Sequence, residues 1–198
     1  DNVNINSRWC LIHATHMTQI ETKNLAKSGA VVGICPITEA NLGDGIFDGR
    51  GYILSGGKFG IGSDSNVRIS LTEELRLLEY SQRLIRNERN LMTNTVGSVG
   101  NSLFKQALIG GAQALKRDSG SIVVGNWADL LTLDSEALNF WCCDEEDFLD
   151  RWIFSGDDQL VREVWSAGRQ MVVNGRHVYR DKIESHYRTC IKDIRNNF

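Results

Sequence analysis

The residues whose types and spacing could do chemistry fall in three short polar clusters. These are His13-Ala14-Thr15-His16, Thr38-Glu39-Ala40-Asn41-Leu42-Gly43-Asp44-Gly45 and Ser63-Asp64-Ser65-Asn66. An imidazole and a carboxylate converging on one point suit a divalent cation, because neutral His nitrogen and Asp oxygen are both good Zn²⁺ ligands. Both groups also move protons around a metal-activated water. Two such residues do not complete a site, since catalytic Zn²⁺ normally takes three protein ligands, and no second His pair or well-placed Glu is present. Each cluster also has a plainer reading. A His at a strand end often serves structure, Asp64 can cap the turn that follows it, and Asn-Leu-Gly-Asp-Gly suits a tight turn. His16 reads as a helix-entry residue, His177 and His186 as surface histidines, and Glu73 and Glu74 as helix caps. The clusters rise above those readings because each follows an apolar run.

The surrounding elements must place them. Residues 8–15 read as a buried strand, an apolar run with polar residues only at its end. Residues 17–28 put Met17, Ile20 and Leu25 at helical spacing, with Gly29 as a stop. A second buried strand over 30–35 leads into a polar, glycine-containing loop over 36–45 and a short helix over 46–54. A third strand over 58–62 runs into Ser63-Asp64. The next helix carries the sharpest signals. Ser70-Leu71-Thr72-Glu73 fits a capping box, and Leu71, Leu75, Leu78 and Ile85 make an apolar face. Glu73 and Glu74 at its start, with Arg83, Arg86 and Arg89 near its end, complement the helix dipole. Buried strands alternating with helices imply an α/β fold with a parallel sheet, whose C-terminal strand ends form the binding face.

A further helix puts Phe104, Leu108, Gly111 and Leu115 on one face, weakened by the Gly110-Gly111 pair. Beyond Gly120 the chain turns β-rich, with short runs at 122–124, 130–133, 161–167, 170–173 and 177–178. Turns are expected at Gly168-Arg169 and at Asn174-Gly175, the second a strong hairpin signal. A short acidic helix over 144–154 interrupts these runs, and the tail reads as another helix. The expected division is 1–119, 120–183 and 184–198.

Bulk properties narrow the function. The chain has 198 residues, 41% hydrophobic and 24% charged, with a net charge of −3. That balance, with no basic run or basic-aromatic patch, argues against a nucleic-acid partner. No apolar run approaches a membrane span, and no signal-peptide pattern opens the chain. Five cysteines without finger spacing read as reduced thiols, consistent with a cytoplasmic protein. A single proline stands against 19 glycines, an imbalance with no evident physical reason.

The runs Trp9-Cys10-Leu11-Ile12-His13-Ala14-Thr15-His16, Thr38 to Phe47 and Gly60-Ile61-Gly62-Ser63-Asp64-Ser65, with 73–80 and the β runs after Gly120, resemble the formimidoylglutamate deiminase family of the amidohydrolase superfamily. The Thr-Glu-Ala-Asn-Leu-Gly-Asp-Gly loop points most narrowly to that family. The resemblance implies a (β/α)₈ barrel of TIM type with a small β-sandwich, of which this chain would supply barrel strands six to eight and sandwich strands. It implies a metal-dependent conversion of N-formimino-L-glutamate, a small-molecule substrate, to N-formyl-L-glutamate and ammonia. His13 and Asp64 would be catalytic, Asp64 also a ligand of one Zn²⁺ or another divalent metal, and Thr38, Glu39 and Asn41 would line the substrate pocket. The family's other metal ligands, its proton-shuttling Glu and its carboxylate-binding arginines have no counterpart here. A whole barrel takes about 250 residues. The chain is therefore expected to be a fragment lacking the N-terminal half of the barrel, either a clipped or truncated gene product or one piece paired with a separate chain holding strands one to five, and homodimeric when complete. Another deaminase of nucleobase or guanidine type, or an inert fragment, stands as the alternative.

Overall fold

The computed structural model describes residues 3–93 and 97–197, which fall into two compact units. The first comprises 1–127 and 135–158, the second 128–134 and 159–198. The 119/120 division expected from sequence thus lies inside the first unit, and the helical stretch 135–158 packs there too.

The first unit is built on a three-stranded parallel sheet in the order β1 (Cys10–Ile12), β2 (Val31–Ile34), β3 (Lys58–Ile61). Ile12 pairs with Gly33 and Ile34 with Ile61, so the three strands end within about a residue of one another. Val31, Val32 and Ile34 are fully buried, as a continuous apolar run in a parallel sheet should be. Helix α1 (Gln19–Ser28) opens on a capping box that the sequence reading passed over: Thr18 accepts from the Glu21 amide and Glu21 reaches back to the Thr18 amide.

The predicted loop over 36–45 is largely a helix, α2 (Pro36–Leu42), followed by α3 (Gly49–Leu54). Pro36 suits the first helical position, where its missing N–H leaves nothing unbonded. The next free amide, Ile37 N–H, donates at 2.8 Å to the carboxylate of Glu74, far along the chain. Glu74 was read as a cap for its own helix, α4 (Leu71–Arg86); it caps α2 instead. The box predicted at Ser70 is half formed. Ser70 accepts from the Glu73 amide, but the Glu73 carboxylate is drawn to Arg68 at 2.6 Å.

Helix α5 (Val99–Ala114) buries Val99, Gly100, Leu103 and Gly110, a face offset from the one expected; Gly110 meets β3, Gly100 meets the backbone at Leu149–Asp150, and Leu115 is well exposed. The Gly110 backbone sits so close to the sheet that a Cβ there would lie 1.9 Å from the Phe59 carbonyl oxygen. The expected acidic helix is a single turn, α6 (Phe148–Asp150), continued as one π-type turn over Arg151–Ser155. It is anchored by buried Trp152 and by Arg76, which donates to the carbonyls of Ile153 and Gly156. Residues 122–124, expected as a β run, are exposed and form no strand.

The second unit holds an antiparallel sheet, β4 (Leu130–Leu133), β5 (Val161–Ser166), β6 (Arg169–Val173) and β7 (Arg176–His177), paired in that order. The β6–β7 turn is the expected Asn174-Gly175, both at positive φ as a two-residue hairpin requires. The β5–β6 turn is Ala167-Gly168, one residue earlier than predicted. Helix α7 (Arg180–Asn197) follows, beginning earlier than the expected 184; residue 198 lies outside the described residues.

Candidate active site

His13, Cys35 and Gly62 each stand one residue past the end of β1, β2 and β3, so register alone brings the polar clusters to one edge. The His13 amide donates to Gly33 O at 2.8 Å, continuing the ladder, and the Ala14 amide turns back to Ile12 O at 2.9 Å. That three-residue turn holds His13 at φ +67 and turns the strand away. Asp64 sits at φ +54, its Oδ1 accepting the next amide, Ser65 N–H, at 2.7 Å. Left-handed backbone costs a non-glycine residue about 1–2 kcal/mol and is seen most with Asn, Asp and His. Three such residues at one sheet edge, Ala14 at φ +52 being the third, mark a place where the fold gives up local comfort to turn the chain and aim side chains.

The aimed groups meet. His13 Nε2 lies 3.5 Å from Asp64 Oδ2, with about a third of each side chain open to solvent. On the other side, His13 Nδ1 lies 3.2 Å from Glu39 Oε1. The same oxygen accepts the Cys35 amide at 2.8 Å, and the Glu39 side chain is only 6% exposed. Thr38 Oγ1 donates to Ser63 O at 3.0 Å, tying α2 to the loop that carries Asp64. Of the residues singled out in the sequence, the structure therefore gathers His13, Glu39 and Asp64, with Thr38 bracing them. Glu39, expected to line the pocket, is buried behind His13. Asn41 lies exposed near the end of α2, apart from the pair.

Cys35, a strand end by its sequence pattern, joins the pair. Its sulfur, a His13 nitrogen and an Asp64 oxygen all lie within 4.8 Å of one another. Ligands at about 2.0–2.3 Å from one tetrahedral Zn²⁺ stand about 3.3–3.8 Å apart, so these donors are of the right kind and would have to draw together to share one cation. Burial is the main reason the Cys35 thiol is pushed up to about 11, with the carboxylates of Glu39, Asp64 and Glu74 adding to it. Without a cation it is an inert thiol at neutral pH. A Cys directly before Pro at a strand end was the signal available in the sequence.

Burial also pushes up Glu39, against the opposing pull of the Cys35 amide and of His13. Glu74 is pushed up to about 7, first by burial and then by the Glu39 and Glu73 charges, with the Ile37 amide opposing. One of its oxygens, Oε1, is buried without a hydrogen-bond partner. Folded Glu74 thus keeps its proton to about 7, whereas the unfolded chain releases it near 4.5. The native state binds more protons in that window, so stability falls as pH rises through it, by up to about 3 kcal/mol. Urea unfolding of Glu74→Gln is expected to lose most of this slope. An unchanged slope would remove Glu74 as its source.

Comparison with known proteins places these features. The amidohydrolase family model matches residues 5–171. A formimidoylglutamate deiminase of Pseudomonas aeruginosa is 48% identical over 183 residues, covering 92% of this chain and 40% of that protein. The crystal structure of an amidohydrolase from Brucella melitensis superposes with a TM-score of 0.91 at 45% identity, over 98% of this chain and 42% of that one. An adenosine deaminase from Xanthomonas campestris with bound zinc gives 0.83 at 25% identity, over 97% and 44%. The chain therefore spans well under half the length of these relatives.

Proposed function

This chain belongs to the amidohydrolase family, and we propose that it supplies part of the active site of a hydrolytic deiminase converting N-formimino-L-glutamate to N-formyl-L-glutamate and ammonia. The observation that carries the reaction class is the His13–Asp64 pair at the C-terminal edge of a parallel sheet. The substrate rests on the likeness to the Pseudomonas aeruginosa deiminase. In this reading β1, β2 and β3 are barrel strands six, seven and eight, and the antiparallel sheet is part of the appended sandwich. The five earlier strands come from protein outside these residues, in the same polypeptide or a second one.

Asp64 would hold Zn²⁺ together with ligands from those earlier strands. Zn²⁺ there supplies an activated water at neutral pH, because the ion lowers the pKa of water towards about 7. Asp64 accepts the proton released as water adds to the formimino carbon. His13 hydrogen-bonds the attacking oxygen through Nε2 and steadies the charge that builds at that carbon. The carbon's bond to its terminal nitrogen then breaks, that nitrogen takes up the transferred protons, and it leaves as ammonia while the carbon becomes a formyl carbonyl. Asn41, exposed on α2 after β2, would face the substrate, and Thr38 would brace the loop that carries Asp64.

The test is ammonia release from N-formimino-L-glutamate, guanine and adenosine with Zn²⁺ present. It is run on the chain alone and on the chain mixed with the first five barrel strands of the Pseudomonas relative. Turnover of N-formimino-L-glutamate by the mixture alone is expected. Turnover of guanine or adenosine instead would replace the substrate with a nucleobase, the second reading that the likeness to the Xanthomonas deaminase favours. No turnover of any substrate by the mixture would mark an inert fragment.

A further inference from the structure

We propose that Glu39 is a positioning residue for His13: its buried carboxylate fixes the imidazole tautomer, so that Nε2 is the nitrogen turned to Asp64 and to the reaction. The proposal deepens the reading of His13 given above and rests on it. A neutral imidazole carries one N–H and one lone pair, and an ionised carboxylate oxygen only accepts. Glu39 Oε1 is 3.2 Å from Nδ1, so the ring proton belongs on Nδ1. Nε2 is then left with its lone pair, 3.5 Å from Asp64 Oδ2, free to take a proton from a group lying between them. In the opposite tautomer two lone pairs would face each other on the inner side of the ring, against a carboxylate only 6% exposed, an arrangement a low-dielectric site penalises.

The carboxylate is a fixed point rather than a follower of the ring. Its Oε1 is oriented independently by the Cys35 amide at 2.8 Å. The helix that carries it is held from the far side, where Glu74 receives the Ile37 amide. Capping alone would need only the Cys35 contact. It leaves unexplained why the same oxygen also meets Nδ1 of a residue whose backbone is held at positive φ. A partner that fixes the far nitrogen of a working histidine is the usual means of orienting such a ring, and its loss commonly costs about 10–100-fold in function.

Imidazole ¹⁵N spectra of the metal-free chain, taken above about pH 8 where a histidine is ordinarily neutral, read the tautomer directly. His13→Gln assigns the signal among the four histidines. The wild type is expected to show a protonated Nδ1 and a bare Nε2. Glu39→Gln should keep that pattern, because its amide oxygen can accept from both Nδ1 and the Cys35 amide. Glu39→Leu, similar in bulk but with no acceptor, should move the proton wholly or partly to Nε2. A wild-type ring protonated on Nε2, or a Leu variant still protonated on Nδ1, overturns the proposal. If Glu39→Leu does not fold, the wild-type and Gln spectra decide it by the same criterion. Because no turnover is measured, failure of the deiminase assay leaves this result standing, and failure here leaves that assay standing.

Discussion

Asp64→Asn is expected to lower ammonia release by the completed enzyme by at least about a thousandfold, with little change in stability. A positioned proton-transfer group is worth about 10²–10⁴ in rate, and this substitution also strips the negative charge from the proposed metal ligand. Asparagine is the informative replacement because of the backbone. Asp64 holds φ +54 with Oδ1 on the Ser65 amide, and Asn both tolerates that conformation and keeps that acceptor. Alanine would add about 1–2 kcal/mol of backbone cost and mix two effects. Bound zinc should fall together with kcat, while the unfolding midpoint stays put. A variant retaining activity within tenfold and its full metal content would strip Asp64 of both roles.

The adjacent glycines of α5 are expected to respond to alanine with opposite signs. At Gly110 a Cβ would stand 1.9 Å from the Phe59 carbonyl oxygen and 2.9 Å from Gly60 N, atoms of the sheet backbone that cannot rotate aside. The helix must lift off β3, loosening its densest packing, and overpacking of this kind typically costs about 1–3 kcal/mol, occasionally more. A drop of about 2–4 kcal/mol, or roughly 5–10 °C in Tm, is expected for Gly110→Ala. At Gly111 nothing lies within 4 Å of the added methyl. There only the better helix propensity of alanine acts, and Gly111→Ala should stabilise by up to about 1 kcal/mol. Thermal unfolding of the two variants side by side checks both; equal shifts would mean that α5 does not meet β3 through Gly110.

That contrast shows what could be read from the chain and what could not. The alternation of apolar runs and helices gave the parallel sheet, and strand ends gave His13 and Asp64, because both depend on local pattern. The Gly110-Gly111 pair looked like a weakness in a helix; it is a close approach between two backbones, which no helical periodicity encodes. Glu74 looked like a cap for its own helix, and it is one for another, 37 positions earlier. Glu39 was placed by loop position, but its partner His13 lies on a different strand, and only the register of β1 against β2 brings them together. The loop over 36–45 was misread because its polar residues and glycines suit a turn, while Pro36 and a distant carboxylate start a helix. The runs at 122–124 failed for the opposite reason: β-branched residues without a partner strand make no sheet.

The side-chain hydrogen bonds that tie helix α2 to its surroundings lie at its inner end. Glu39 and Glu74 secure its first turn, and Thr38 fastens it to the loop before Asp64. Ala40, Asn41 and Leu42, the outward half, are exposed and take no part in that anchoring. Seven residues are thereby divided between a part that holds and a part left free of those bonds. Variation in the second can pass through an evolving lineage without disturbing the imidazole behind the first. A helix organised this way can vary at its outer surface one residue at a time while the buried carboxylate behind His13 stays where it is.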